Sequence, residues 1–205
     1  MNTSNERRLF SLVGTVSIVA LLAGFAPGAA VAAELFVDDD TCPSTGSGTE
    51  SDPYCAIQSA VNAASTGDTI TVRPGTYDDF DFASEAITVR SSNGPKVTTI
   101  THTGGHPKVQ FGLGDGDSTL EGFTITGGTG IGIQISNGPS PTIRGNIITG
   151  NGGGIDIIGG SAPLIEDTII GPDNDATNGG GVFATGDLDG DGDTPVRYFW
   201  KLGEQ

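Results

Sequence analysis

Four aspartates, Asp187, Asp189, Asp191 and Asp193, alternate with Leu188, Gly190 and Gly192 near the C-terminal end of the sequence. Acids spaced two apart around a glycine turn can direct several oxygens at one hard cation, so the stretch predicts a calcium loop. A solvated acidic turn is the alternative. A second set, Glu121, Arg144 and Glu166, returns at steps of 23 and 22 residues, which places two carboxylates and a guanidinium on one outer face. Such a row invites a catalytic reading; it is also what an exposed ion-pair ladder looks like, worth about 0.2–1 kcal/mol per pair. The two cysteines, Cys42 and Cys55, lie close together in a loop rich in Ser, Thr, Gly and Pro. A disulfide is the expected state. A two-cysteine metal site is the alternative, with the only histidines, His102 and His106, far along the chain. Those histidines are expected in a loop between coils, and Asp78, Asp79, Asp81 and Glu85 on solvated surface.

These residues must be held by many short strands. Glycine supplies 34 of 205 residues, and hydrophobic residues, only 35%, come as short bursts of Ile, Val, Leu and Phe, a pattern of strands joined by tight turns. The motifs Leu120–Ile125, Ile143–Ile148 and Ile165–Ile170 repeat at those same 23- and 22-residue steps, one solenoid coil per step. A second register repeats beside them, with Gly130-Ile131-Gly132-Ile133 set against Gly154-Ile155-Asp156-Ile157 and Gly181-Val182-Phe183. Each coil has too little apolar surface to fold alone, but stacked coils share one aliphatic column. Gly127-Gly128, Asn146, Asn151 to Gly154 and Gly159-Gly160 are read as turns that need positive φ or close backbone approach. Ahead of the coils come a short strand at Glu34–Asp38, a helix pattern over Ala56–Ala64 with Ile57, Ala60, Val61 and Ala64 on one face, a strand at Thr69–Val72, and a turn at Pro74–Tyr77.

Residues 1–33 have the layout of a secretory signal: Arg7 and Arg8, an apolar stretch from Leu9 to Phe25, then Ala30-Val31-Ala32-Ala33 with cleavage expected after Ala32 or Ala33. A membrane-spanning anchor is the alternative, but Gly14, Gly24, Pro27 and Gly28 interrupt the stretch. Arg7-Arg8 leaves general and twin-arginine export both open. The formal charge of −16 repels nucleic acid and anionic lipid, which argues against both as partners.

The run ELFVDDD followed by DPYCAIQSAVNAASTGDTITVRPGTY resembles the N-terminal cap and first coil of the secreted parallel β-helix proteins, the pectin-lyase-like superfamily. The resemblance implies an all-β, single-stranded right-handed parallel β-helix whose open end is covered by a strand and a helix. In pectate-lyase relatives, calcium-binding carboxylates accompany an arginine base that takes the proton next to a uronate carboxyl; Arg144 between Glu121 and Glu166 superficially fits. The combination of paired aspartates with Gly-His-Gly found in polygalacturonase-like hydrolases and the Asp-Pro-His-Asp of mannuronate epimerases are missing from the sequence. The tail ATGDLDGDGDT resembles the opening of an FG-GAP or VCBS-type calcium-loop repeat. It also matches the start of an EF-hand-type loop, although Tyr198 stands where a bidentate acid belongs.

The expected organisation is therefore a signal peptide over 1–33, a cap with the Cys42 to Cys55 loop over 34–66, β-helix coils over 67–185, and an acidic tail over 186–205, with a native end and a truncation after residue 205 both left open. Two functions are weighed. One is an exported, non-catalytic or accessory module that is secreted, periplasmic or held at the cell surface and meets polysaccharide or cell-envelope components. The other is a lyase, hydrolase or epimerase acting on acidic polysaccharide. Calcium is the expected ion, no membrane span remains once the signal is removed, and the oligomeric state is left open.

Overall fold

The computed structural model describes residues 31–171, 173–175 and 180–185. Most of the signal segment, and the tail with Asp187, Asp189, Asp191 and Asp193, lie outside them. The chain divides into Met1–Val31 and Ala32–Gln205, and the second unit is described below.

The chain begins with β1 (Glu34–Val37) and the helix α1 (Ile57–Ala63), then winds through five coils of three strands. The first coil is β2 (Thr69–Val72), β3 (Gly75–Tyr77) and β4 (Phe80–Asp81). The second is β5 (Thr88–Ser91), β6 (Thr98–Thr101) and β7 (Val109–Phe111), and the third β8 (Thr119–Glu121), β9 (Thr124–Thr126) and β10 (Ile131–Ser136). The fourth is β11 (Thr142–Arg144), β12 (Ile147–Ile148) and β13 (Gly153–Ile158), and the last β14 (Leu164–Glu166), β15 (Ile169–Ile170) and β16 (Val182–Thr185). Like strands stack into three walls: β1-β2-β5-β8-β11-β14, β3-β6-β9-β12-β15 and β4-β7-β10-β13-β16. Each paired strand runs parallel to its neighbour. The aliphatic residues every second position face inward, so Ile70, Val89, Leu120 and Ile143 form one fully buried row.

Three expectations are corrected. Gly75–Tyr77 is a strand of the second wall and not a turn; the chain bends ahead of it, at Arg73-Pro74. In the third wall Ile133 pairs with Ile155 and Ile135 with Ile157, so the second register sits two residues from the alignment of glycines. A two-residue slip leaves the inward face unchanged, which is why pattern alone does not detect it. Gly127, Gly128, Gly159 and Gly160 have positive φ as expected, but Asn146 and Asn151 do not. These asparagines are buried and act through their amides: Asn146 Oδ1 accepts from Phe123 N at 2.9 Å and its Nδ2 donates to Leu120 O at 3.0 Å, one coil earlier. Asn151 Nδ2 donates likewise to Ile125 O at 3.0 Å.

The six-residue repeats turn out to be corners. Two residues separate the strand of one wall from that of the next, and the first of them, Gly122, Gly145 or Asp167, is left-handed. The cap is tied to the first coil by its own motif residues. Asp39 Oδ2 accepts from Thr76 N at 2.8 Å, Tyr77 Oη accepts from Asp39 N at 3.2 Å, and Arg73 pairs with Asp38 at 2.9 Å. A Cβ on Gly75 would lie 2.1 Å from the Asp39 carboxylate, so a larger residue there would displace that carboxylate from its bond to Thr76 N. Burial of Tyr77 pushes its hydroxyl well above the usual phenol range. Ile57, Ala60 and Val61 of α1 are buried, while Ala64 of the expected face is half-buried.

Cys42 and Cys55 form the expected disulfide, with Cα atoms 5.0 Å apart and a sequence separation of 13. Closing a loop of that length stabilises the fold by about 3 kcal/mol in the chain-entropy model. Cys42→Ser/Cys55→Ser is accordingly expected to melt roughly 6–12 °C below the parent by scanning calorimetry. An unchanged melting temperature would show the cap to be held without the cross-link.

Candidate functional site

The predicted row of charges is assembled on the first wall. Register places Arg90, Glu121, Arg144 and Glu166 on successive strands. Arg144 Nη2 lies 2.7 Å from Glu121 Oε2, and its Nη1 lies 3.7 Å from Glu166 Oε1. Arg90 in turn reaches Glu34 Oε1 at 2.9 Å, and its Nε donates to Thr71 Oγ1 at 3.2 Å. The side chains of Arg144, Glu121 and Glu166 are 44%, 37% and 40% exposed, in register on one sheet face. The hydrogen bond from Arg144 to Glu121, with the charges of Glu121, Glu166 and Asp167, raises the guanidinium pKa. That direction is opposite to the one a proton-abstracting arginine requires. Beside the charges, Thr69, Thr88, Thr119 and Thr142 align as a second row.

His102 and His106 lie in the connection between β6 and β7, a loop within the second coil and not between coils as expected. The structure adds a partner, for His102 Nδ1 sits 3.2 Å from Asp79 Oδ1 and the two imidazoles are 6.1 Å apart. Beneath them Lys108 is fully buried, its Nζ donating to His106 O at 3.2 Å. Desolvation pulls the Lys108 pKa down, and the charge of Asp79 works in the other direction. Among the described residues no group of three or more His, Cys, Asp or Glu could hold a metal ion.

The third wall carries an arrangement that sequence reasoning missed. Asp81, Gln110, Gln134, Asp156 and Phe183 occupy one register position on β4, β7, β10, β13 and β16. In β7, β10 and β13 this residue sits between two buried hydrophobic neighbours, and so faces out. Four hydrogen-bonding groups are thus stacked at about 4.8 Å per rung and end at a phenyl ring that is 50% exposed. Asp156 Oδ1 is buried without a hydrogen-bond partner. An unsatisfied buried carboxylate oxygen is costly, so it marks a place where a donor is wanted.

At the cap end of this row lies a cleft of about 210 Å³, lined among others by Asp81, Ser84, Gln110, Leu113, Asp115 and Ser136. Its rim is strained: Ala83 and Ser84, neither of them glycine, have φ of 54° and 70°. Carboxylates hold that turn, with Asp81 Oδ1 accepting from Ala83 N at 3.1 Å and Asp115 Oδ1 from Ser84 N at 2.7 Å. Asp115 also accepts from Gly112 N. Desolvation nevertheless raises the Asp115 pKa, because the carboxyl is almost wholly buried. Strained, over-determined backbone beside a cleft is a recognised companion of ligand sites. Leu113, 76% exposed, stands at the same rim. The available signal was the recurrence of one polar residue inside an apolar triplet, Val109-Gln110-Phe111, Ile133-Gln134-Ile135 and Ile155-Asp156-Ile157.

Five right-handed turns of parallel strand, three flat walls and a helix-and-strand cap define a single-stranded β-helix protein. A family model described as "Right handed beta helix region" matches residues 58–189. That is more than half of the chain, which belongs to this family. Comparison with curated proteins and with solved structures returned no match.

Proposed function

We propose that the chain is an exported accessory module that binds an extended neutral glycan along its third wall. The observation that carries this reading is the outward row Asp81, Gln110, Gln134, Asp156 and Phe183. Amides and carboxylates at a fixed rise match the hydroxyls of successive sugar units, and a half-exposed aromatic ring offers the apolar face on which a pyranose stacks. The cleft beside Asp81 is smaller than the ~300–1,000 Å³ that encloses a drug-sized ligand. It suits the end unit of a chain and not a buried oligosaccharide. Charge selects the neutral class, because a protein of −16 repels uronate-rich polymers. Export is supported by the Cys42 to Cys55 disulfide, which persists in oxidising compartments. Among the described residues no helix is long and apolar enough to cross a membrane.

The enzymatic reading on acidic polysaccharide draws less support. It asks Arg144 to accept a proton while two carboxylates hold that proton in place.

Affinity electrophoresis of the exported protein in gels containing neutral glucans, xylans and mannans tests the proposal, with polygalacturonate as the acidic comparison. Retardation by at least one neutral polymer is expected, and none by polygalacturonate. Phe183→Ala is expected to weaken the retarding interaction about tenfold, the size of a modest hot-spot residue; Arg144→Ala should leave it unchanged. Failure of every neutral polymer to retard the parent protein overturns the reading.

The acidic tail is proposed to bind calcium through Asp187, Asp189, Asp191 and Asp193. Calorimetric titration with calcium chloride is expected to release or absorb heat. A flat thermogram together with an unmoved melting temperature removes this proposal.

A further inference from the structure

Among the described residues, the first with a hydrogen bond to the cap is Ala33. Its amide nitrogen lies 2.6 Å from Asp68 Oδ1, and its carbonyl accepts from Thr69 N at 2.9 Å. Asp68 is only 8% exposed, and its other oxygen accepts from Ser65 N at 2.9 Å. This carboxylate sits where α1 has ended and β2 begins, at the top of the first wall. No side-chain cation bonds to it among the described residues; its hydrogen-bond donors are the backbone N–H groups of Ala33 and Ser65. Two neutral amides are modest partners for a nearly buried charge, whereas an ammonium in the same place compensates it. Two residues before Ala33, Val31 is 92% exposed.

We propose that the chain is cut between Ala32 and Ala33, and that the α-ammonium so created is the ionic partner of Asp68, locking the mature N-terminus onto the solenoid cap. This rests on the export reading, under which a leader peptidase recognises the small residues Ala30 and Ala32 ahead of the cut. Water supplies the second reactant. Its oxygen bonds to the Ala32 carbonyl carbon, the C–N bond breaks, and the products are the Ala32 carboxylate and the Ala33 amine, protonated at neutral pH. The structure separates this cut from its neighbour. Cleavage after Ala33 would delete both the N–H that serves Asp68 and the carbonyl that serves Thr69, leaving a buried carboxylate and a strand N–H short of partners. Cleavage between Ala32 and Ala33 keeps both contacts and gives the first of them a charge.

The test has two arms. The full chain is expressed with its own leader in an exporting bacterial host, and the released protein is read by intact mass and N-terminal sequencing. Ala33 as first residue is expected. A first residue of Glu34, or any other cut site, overturns the inference while leaving export intact; uncut protein starting at Met1 overturns the export reading itself. In the second arm the mature protein is compared with a form carrying Gly-Gly ahead of Ala33, which restores a neutral amide at that nitrogen, and Asp68→Asn is made in both. The Gly-Gly form is expected to melt about 2–6 °C below the mature one, a charge-assisted bond being stronger than a neutral one. Asp68→Asn should abolish that difference. Equal melting temperatures for the mature and Gly-Gly forms, a comparison that needs no substitution of Asp68, would overturn the ionic lock.

Discussion

Replacing Phe111 with alanine is expected to lower the unfolding free energy by about 3–5 kcal/mol. The ring is 1% exposed and stacks on Phe82 with centroids 4.2 Å apart and planes 20° from parallel. Phe82 in turn meets Phe80 at 5.4 Å. Phe111 also takes its place below Ile135 in the inward row of the third wall. Truncation therefore opens a void bounded by a neighbouring coil as well as by its own, and a solenoid core has no loose layer that can collapse into it. Urea denaturation is the direct measurement, with Gln110→Ala, outward on the same strand, as a control expected to stay within about 0.5 kcal/mol. A Phe111→Ala protein as stable as that control would mean that the inward row is not packed as described.

Asn146→Ala is expected to cost about 2–6 kcal/mol, because two buried backbone groups lose their partner at ~1–3 kcal/mol each. Asn146 is 1% exposed and bridges coils, taking the Phe123 N–H and giving its own amide hydrogen to the Leu120 carbonyl. Its backbone N–H continues the chain of contacts to Thr168 Oγ1 at 3.4 Å in the next coil. Alanine fills the space poorly and satisfies neither group. Hydrogen exchange locates the effect: the Phe123 amide should lose protection before amides two coils away. Unchanged Phe123 protection would show that water or a shifted corner replaces the asparagine.

The inward rows of the β-helix are legible in the chain because burial imposes alternation, and few architectures besides stacked coils repeat that alternation at a constant step. Ile70, Val89, Leu120 and Ile143 stand out for that reason, as do the five coils and the cap of β1 and α1. Register within the third wall does not, since Ile131 and Ile133 both suit an inward position and only the backbone ladder decides between them. The buried asparagines are recognisable as corner residues, but their task is not. An asparagine that adopts left-handed backbone and one that caps the coil above it look alike in sequence. Glu121, Arg144 and Glu166 fall on one outer face as expected, because equal phase in a repeat means vertical alignment. The third-wall row escapes notice for the opposite reason: Gln110, Gln134 and Asp156 are ordinary residues for an outward position, and only a covered, unpartnered Asp156 oxygen distinguishes them. Nor does an Ala-Ser pair announce the strained turn at Ala83 and Ser84, which neighbouring carboxylates impose.

Strands β8, β11 and β14 begin at Thr119, Thr142 and Leu164, and each coil touches mainly the one before and the one after. In such an arrangement length behaves as a countable quantity. Duplicating one such unit in the gene would insert a whole storey without disturbing the floors on either side, and would extend every outer row by one step. Tandem duplication thus offers this architecture a route to longer outer rows that leaves the cap and its contacts untouched.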